Sequence, residues 1–116
     1  MEKSILNSIK KLLGLSKEYE AFDTDIIIHI NTAFMILNQL GVGSKDIFKI
    51  QDANSVWSDF LPDSENLESV KTYIYLKVKI VFDPPLNASV LESMKQTINE
   101  LEWRLNVESE STESEV

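Results

Sequence analysis

Two consecutive prolines divide the C-terminal half of this 116-residue chain into two apolar, periodic stretches. Each proline lacks a backbone N–H and disfavours the helical conformation for the residue before it, so Asp83 and Pro84 are both directed towards extended backbone. A helix that reaches Phe82 therefore ends there. The segment FDPPLNAS predicts a rigid corner, formed by Asp83, Pro84 and Pro85, between two elements that pack as an antiparallel hairpin.

The stretch after the corner has a clear helical pattern. Either Asn87 or Ser89 can cap its first turn, and Ser89 with Glu92 has the form of a capping box. Trp103 lies outside the apolar side and projects from the polar side of the helix, next to Arg104. The apolar side comprises Val90, Leu91, Met94, Ile98, Leu101 and Leu105.

The stretch before the corner, residues 66–82, is compatible with a helix or a strand. The alternation from Leu76 to Ile80 and the many β-branched and aromatic residues are typical of a strand. The length of the stretch, and Lys77 and Lys79 near its C-terminal end, favour a helix. As a helix it has two apolar stripes, one of Leu67, Val70, Ile74, Val78 and Val81, and a second of Tyr73, Leu76 and Ile80.

The N-terminal segment predicts an amphipathic helix over residues 4–13. Its apolar residues share one face, Lys10 and Lys11 fall on the other, and Gly14 is the expected stop. The two lysines interrupt the apolar positions, which argues against a secretory signal peptide. No apolar run in the sequence reaches the roughly 20 residues that a membrane span needs.

A second helix is predicted between a cap at Asp23 or Thr24 and a stop at Gly41. Ile28 and Met35 lie seven positions apart and project from the side opposite its main apolar stripe. A helix with two apolar faces is either deeply buried or in contact with a second body.

The remaining segments complete an all-α fold. Residues 44–54 are predicted as a loop, and residues 54–62 as a short helix that Pro62 ends. We therefore expect a small bundle of four to five helices, with long central helices and a helical hairpin around the corner, in a single domain of residues 1–106.

Acidic residues outnumber basic ones by nineteen to eleven, so the net charge is −8. Four of the acids lie in residues 107–116, which contain no basic residue and are predicted to form a disordered acidic tail. The rest of the chain has 15 acids against 11 bases. Binding to nucleic acid through phosphates needs clustered Lys and Arg, so this balance argues against a nucleic-acid-binding module.

Side chains that carry catalytic or metal chemistry are few and scattered. Without cysteine the chain has no disulfide, no thiolate nucleophile and no Cys-ligated metal. His29 is the only histidine and is interpreted as a structural residue at the edge of the core. Asp23 and Asp25 lack the other ligands and the glycine of a calcium loop, and the glycines of 41–43 lack the lysine of a phosphate-binding loop. We expect no enzymatic activity, no metal and no cofactor.

Three apolar features exceed what one small core requires. Trp103 lies on a polar helix face, and tryptophan is a preferred anchor of protein interfaces. The pair Ile28 and Met35 and the second stripe of 66–82 add further apolar surface. In one interpretation these residues contact another subunit or a partner; in the other the bundle folds all of them inward, with Trp103 covered by the loop around Trp57.

The order and spacing of these segments resemble the head–tail connector proteins of tailed bacteriophages, which are also called head-completion or adaptor proteins. The resemblance covers residues 5–106. Its most specific parts are the helix end QLGVG, the FDPP corner and the closing EWRL. It rests on the segments IKKLLGL, FDTDIIIHINTAFMILNQLGVG, WSDF and VKTYIYLKVKIVFDPPLNASVLESMKQTINELEWRLN.

The resemblance implies an all-α, non-enzymatic protomer of a homo-oligomeric ring, usually of about twelve copies. Such a ring docks onto the portal protein after DNA packaging and presents a surface to tail-side connector or tail-completion proteins. DNA passes through its lumen without specific binding, and no membrane takes part. The implied location is the head–tail interface of a virion assembled in the cytoplasm of the bacterial host. The resemblance also implies a helix over 66–82. It places the segment around Trp103 and Arg104, together with the tail that follows, at a subunit or portal contact.

Two questions about this interpretation stay open in the sequence. An acidic ring suits a DNA conduit, because carboxylates that face the lumen repel phosphate; alternatively, the basic side of the first helix (Lys3, Lys10, Lys11) meets an acidic neighbour. The second question is the class of function itself. A small soluble helical regulatory protein that acts through protein–protein binding fits the same pattern.

Overall fold

The structure, a computed structural model, describes residues 3–43, 46–61 and 66–114, with side chains of the last helix up to Ser109. Within these ranges it contains helices and no strand, apart from one isolated bridge between Ser4 and Val56. The prediction of an all-α fold with five helices is confirmed. The helices are α1 (Ile5–Leu12), α2 (Asp23–Gln39), α3 (Trp57–Phe60), α4 (Leu67–Phe82) and α5 (Ala88–Ser114).

Helix α4 is the centre of the bundle, because α1, α2 and α5 all pack against it. It buries Val70, Tyr73, Ile74 and Val78. These residues come from both apolar stripes of 66–82, and only a helix can direct them to neighbours on more than one side. The helical interpretation of this segment is confirmed. Burial on several sides outweighs the lower helix propensity of its β-branched residues.

Helix α2 supplies the largest apolar contribution to the core. Ile26, Ile30, Ala33 and Leu37 follow one another at intervals of three and four, and all four are fully buried. The helix ends as predicted at Gly41, whose φ of 85° is the left-handed conformation that favours glycine.

The start of α2 differs from the prediction in its capping. Phe22 occupies the cap position without a side-chain cap, and Asp23 lies in the first turn. Its carboxylate is 2.8 Å from the amine of Lys10. A negative charge in the first helical turn is favourable in its own right, so the ion pair and the helix dipole together replace the cap.

The same contact corrects the prediction for α1. Lys10 was expected on the exposed face, but its side chain is fully buried and also donates a hydrogen bond to the carbonyl of Lys17 at 3.1 Å. The four-carbon stem lies along the apolar interior, while the amine reaches two oxygens at the edge of it. Lys11 is exposed as predicted, and Gly14 follows the helix with a φ of 83°.

The corner between α4 and α5 is confirmed. Helix α4 ends at Phe82, and Asp83 pairs with Lys79 at 2.8 Å. Asn87, rather than Ser89, caps α5: its side-chain oxygen accepts from the backbone N–H groups of Ser89 (2.8 Å) and Val90 (3.1 Å). Asp83 and Pro84 are exposed and Pro85 is half-buried.

The backbone of helix α5 is described through Ser114. The disordered acidic tail expected over residues 107–116 stays a prediction. Two polar contacts hold α5 against the end of α2. The side-chain amide of Asn106 donates to the carbonyl of Leu40 at 3.3 Å, and the hydroxyl of Ser109 donates to the carbonyl of Gly41 at 2.8 Å. Composition alone does not reveal such tertiary contacts. Residues 115–116 lie outside the described part of the chain.

The segment between α2 and α4 covers one side of α2. The amide of Asn31 brackets Ile50, donating to its carbonyl at 3.0 Å and accepting from its N–H at 2.8 Å. Phe34, Phe48 and Phe60 form a ring cluster with centroids 4.7–5.4 Å apart. The short helix predicted here is confirmed as α3, and its expected stop, Pro62, lies outside the described residues.

Candidate interaction surfaces

The outer face of α5 carries Trp103, the more exposed of the two tryptophans. Trp103 is 66% exposed, and Val107, one turn later, is also exposed. Arg104 pairs with Glu100 at 2.7 Å, and both of these side chains are largely exposed. On its opposite side α5 buries Ile98 and Leu105 against the core. We call Trp103, Arg104 and Val107 the α5 face.

Trp57, in contrast to Trp103, is part of the core. It is only 4% exposed, and its indole N–H donates to the hydroxyl of Ser8 at 3.0 Å. The loop around Trp57 packs beside α1 and leaves Trp103 uncovered. The interpretation in which the bundle folds Trp103 inward is therefore wrong.

A second exposed apolar surface lies on α2. Ile28 is 55% exposed and Met35 is 41% exposed, and the exposed Thr32 lies between them. The hydroxyl of Thr32 donates to the carbonyl of Ile28 at 3.0 Å, so the polar group of this residue is hydrogen-bonded to its own helix. We call Ile28, Thr32 and Met35 the α2 face.

The stripe of Tyr73, Leu76 and Ile80 does not form a third exposed surface. Tyr73 is fully buried, and its hydroxyl donates to the carboxylate of Glu102 on α5 at 2.7 Å. Burial and this neighbouring carboxylate both raise the pKa of Tyr73. Leu76 and Ile80 are half-buried and pack against the core. The expectation that Tyr73 is available to a partner is corrected, because α5 covers this side of α4.

An aromatic cluster at the corner end of the bundle was missed by the sequence analysis. The ring of Phe22 meets Tyr19 edge-on at 5.8 Å and Phe82 at 5.4 Å between centroids. Tyr19 and Phe22 are exposed, and Leu86 in the corner is completely exposed. Phe22 lies at the start of α2 and Phe82 at the end of α4. If the two helices had been predicted to pack antiparallel, the contact between these two rings could have been predicted as well.

A groove of about 490 Å³ runs between α1 and α4. On its α4 side the amine of Lys71 lies 5.5 Å from the centre of the Trp57 ring and 3.7 Å from the carboxylate of Glu68. Its lining combines apolar side chains with amines, and it consists of Ser8, Lys11, Leu12, Glu68, Lys71, Thr72 and Tyr75.

Groups capable of metal or acid–base chemistry do not converge in the part of the chain that the structure describes. No cluster of three or more His, Asp or Glu residues there could hold a metal ion. His29 is half-buried on α2. In the loop before α2, the Ser16 hydroxyl donates a hydrogen bond to the carboxylate of Glu18 and lowers the pKa of that group. Glu18 is exposed, and this contact lies within the loop. None of the helices described has the length and apolar character that crossing a bilayer requires.

Comparison with known proteins identifies the family. The model of a phage connector protein family matches residues 5–112, which is nearly the whole chain. The chain belongs to that family. No curated protein and no solved structure gives a match. Membership in the connector family supports a structural role for the chain in the phage particle.

Proposed function

We propose that this connector protein is a head–tail adaptor that assembles into a ring on the portal, completes the DNA-filled head and provides the attachment surface for the tail. The proposal places it at the head–tail interface of the virion after assembly in the host cytoplasm. The observation that carries it is the large exposure of Trp103 in a chain whose family is that of phage connectors. An exposed tryptophan with an adjacent arginine is typical of an interface anchor.

A ring of identical subunits requires two different surfaces on each subunit, one for each neighbour. The α5 face and the α2 face meet that requirement, because they belong to different helices and both point away from the core. We assign Trp103 and Arg104 to one side of the contact and Ile28 and Met35 to the other. Leu76 and Ile80 are half-buried, so only their exposed parts can take part in such a contact.

One residue of each face lies at a similar position along the bundle. Helices α2 and α5 run parallel, since each is antiparallel to α4, and Asn106 of α5 contacts Leu40 at the end of α2. Met35 precedes Leu40 by five residues and Trp103 precedes Asn106 by three, so they lie about 8 Å and about 5 Å before that contact. Ile28 precedes Leu40 by twelve residues, about 18 Å, so the two faces are level only at Met35 and Trp103.

The charge of the chain suits passage of DNA. About twelve copies, each with a net charge of −8, would carry roughly −96 in total. Carboxylates that face the lumen repel phosphate at distances within the Debye length, so the duplex slides without being bound. The proposal therefore includes DNA as a passing cargo and excludes specific DNA recognition.

The competing function is a small soluble helical regulatory protein that acts through protein–protein binding. Its support is the same pair of exposed faces, which an isologous dimer could also cover. Native mass spectrometry of the chain, alone and with its portal protein, separates the two. Rings or portal-bound assemblies of about twelve copies support the connector. Stable dimers without affinity for the portal support the regulator.

The role of the α5 face is tested by Trp103→Ala. We expect weaker ring assembly or portal binding, because truncating a central tryptophan anchor typically costs more than about 2 kcal/mol of binding free energy. Val90→Ala is the matched control, since Val90 is an exposed apolar residue on the same helix outside the proposed contact. Unchanged assembly and infectivity of the Trp103 variant would discard the assignment.

A further inference from the structure

We propose that the groove between α1 and α4 binds the acidic C-terminal segment, residues 107–116, of a neighbouring copy of this chain. The inference rests on the proposed ring and names one of its subunit contacts. It also assigns a function to the one part of the chain whose composition differs most from the rest.

The groove is basic in a chain that is otherwise strongly acidic. Lys11 and Lys71 line it, with Glu68 as the carboxylate among its lining residues. The Lys71 amine lies 5.5 Å from the centre of the Trp57 ring and 3.7 Å from the Glu68 carboxylate. Two amines thus line a groove that holds one carboxylate, on a chain with a net charge of −8.

The apolar part of the lining favours a peptide over a small ion. Leu12 is exposed and Tyr75 is half-buried, so their side chains offer a surface on which a helix or an extended segment can lie. Lysine stems along such a surface bury their methylene groups and keep their amines at the edge. An acidic segment with small side chains is complementary to this arrangement.

The C-terminal segment has that chemistry. VESESTESEV contains four glutamates, no basic residue and small serine and threonine side chains between them. Opposite charges across an interface speed encounter and fix the register of the partners. In a chain where acids outnumber bases by nineteen to eleven, the groove brings two lysines together with one glutamate, so its lining carries a net positive charge.

The segment that fills the groove comes from another copy because of where α5 lies. Tyr73, which contacts α5 through Glu102, is two residues from Lys71 and two residues from Tyr75. Residues two apart on a helix point about 200° away from each other, so α5 and the groove lie on opposite sides of α4. The hydroxyl of Ser109 further holds the subunit's own α5 at the end of α2.

The start of the C-terminal segment lies nearest to the level of the groove. Lys71 and Tyr75 flank Tyr73 along α4, so the groove lies level with the turn of α5 around Glu102. At 1.5 Å per residue, residue 107 lies about 8 Å and residue 114 about 18 Å further along α5. A neighbour rotated about an axis parallel to these helices would therefore present residue 107 about one and a half helical turns from the level of the groove, and Glu108 is the first glutamate of the segment to reach it.

The test uses zero-length carbodiimide cross-linking, which joins an amine to a carboxylate that it directly contacts. Equal amounts of full-length ¹⁴N and ¹⁵N chain are mixed, assembled with portal and cross-linked, and the peptides are analysed by mass spectrometry. Native mass spectrometry of the same sample reports whether an assembly has formed. We expect cross-links between Lys11 or Lys71 and glutamates of 107–116, in mixed-isotope pairs that only two different copies can produce.

Reversing the charge of the groove lysines tests whether the contact depends on their positive charge. K11E/K71E should lower the yield of these cross-links or the affinity of assembly by about tenfold, since two exposed pairs contribute roughly 0.5–1 kcal/mol each and their reversal adds repulsion. K49E/K95E changes the charge equally at exposed lysines outside the groove and should leave assembly unaltered. Replacing Glu108, Glu110, Glu113 and Glu115 by Lys is the reciprocal variant, which remains informative if reversal at Lys71 disturbs Trp57. Mixing the two reversed chains should restore assembly.

The outcomes distinguish this inference from the proposed function. Assemblies without cross-links between the groove and 107–116, or with same-isotope pairs only, overturn the inference and leave the ring intact. No assembly under any condition, with or without portal, overturns the proposed function and the inference together. Equal losses in K11E/K71E and K49E/K95E would show a general charge effect and would also overturn the inference.

Discussion

Helices α2 and α5 both pack against α4, but they are held there by different forces. Helix α2 buries five apolar residues in 17, whereas α5, with 27 residues, buries Ile98 and Leu105 among its side chains up to Ser109. The attachment of α5 depends on polar contacts instead, at Tyr73, Asn106 and Ser109. A helix attached in this way keeps a wide outer face exposed, as Trp103 and Val107 show, and this is the face that we propose for a subunit or portal contact.

The largest difference between α2 and α5 is expected when one core residue is truncated in each helix. Ile30→Ala should lower the free energy of unfolding by about 3–4 kcal/mol, and Ile98→Ala by about 2 kcal/mol, because the more enclosed site leaves the larger unfilled cavity. Urea denaturation of both variants measures the two values. Equal losses would show that α5 is part of the core to the same degree as α2.

The hydrogen bond from Tyr73 to Glu102 is the next largest contribution to the attachment of α5. Tyr73→Phe should cost about 2 kcal/mol of unfolding free energy, since hydrogen bonds to charged groups contribute about 1.5–3 kcal/mol. Amide exchange should rise in α5 more than in α2, and uniform exchange across the chain would contradict this view of α5.

The same residue predicts a dependence on pH. Burial, and then Glu102, raise the pKa of Tyr73 above its unfolded value of about 10. The folded chain therefore keeps the phenol proton where the unfolded chain loses it, so this contribution to stability is complete below pH 10 and decreases as the pH rises further. Denaturation between pH 8 and pH 11 should show a decrease for the native chain that is smaller for Tyr73→Phe.

Two glycines allow the tether between α2 and α5 to be measured with a matched control. Gly41 and Gly14 have nearly the same φ, 85° and 83°, but a Cβ at Gly41 would clash with the Ser109 hydroxyl, whereas one at Gly14 meets nothing within 4 Å. Gly41→Ala should cost about 1–2 kcal/mol and Gly14→Ala about 1 kcal/mol, the difference being the displaced end of α5. Amide exchange over 107–114 should rise only in the Gly41 variant, and a rise in both would contradict the tether.

Trp103→Ala should have the smallest effect on the single chain. Because the side chain is largely exposed, we expect the unfolding free energy to change by less than about 0.5 kcal/mol. Thermal denaturation measures it beside Trp57→Ala, which removes a buried tryptophan and should cost about 3–5 kcal/mol. A large loss at Trp103 would mean that the residue stabilises the fold and is not reserved for a partner.

Periodicity predicted the helices well because burial against α4 follows the helical repeat. The corner at Asp83, Pro84 and Pro85 was predictable for a local reason, since two prolines constrain the backbone without any tertiary contact. The same reasoning also identified Trp103 and the pair Ile28 and Met35 as residues outside the core.

The errors concern residues whose environment depends on distant parts of the chain. Lys10 looked exposed by its position on α1, yet Asp23 and the carbonyl of Lys17 give its amine partners in the interior. Tyr73 looked available because the sequence does not show that α5 lies across it. The contacts of Asn106 with Leu40 and of Ser109 with Gly41 were also missed, because the partners are 66 and 68 residues apart in the sequence.

The central claim is that the α5 and α2 faces are exposed in the single chain and covered in the assembled connector. Hydroxyl-radical labelling tests it directly, because tryptophan and methionine react readily and the chain carries Trp103 and Met35 on the two faces, with the buried Trp57 as an internal reference. The account predicts strong labelling of Trp103 and Met35 in the free chain and protection of both in the portal-bound assembly, with Trp57 unchanged. Equal labelling of Trp103 in the free and assembled states would contradict it.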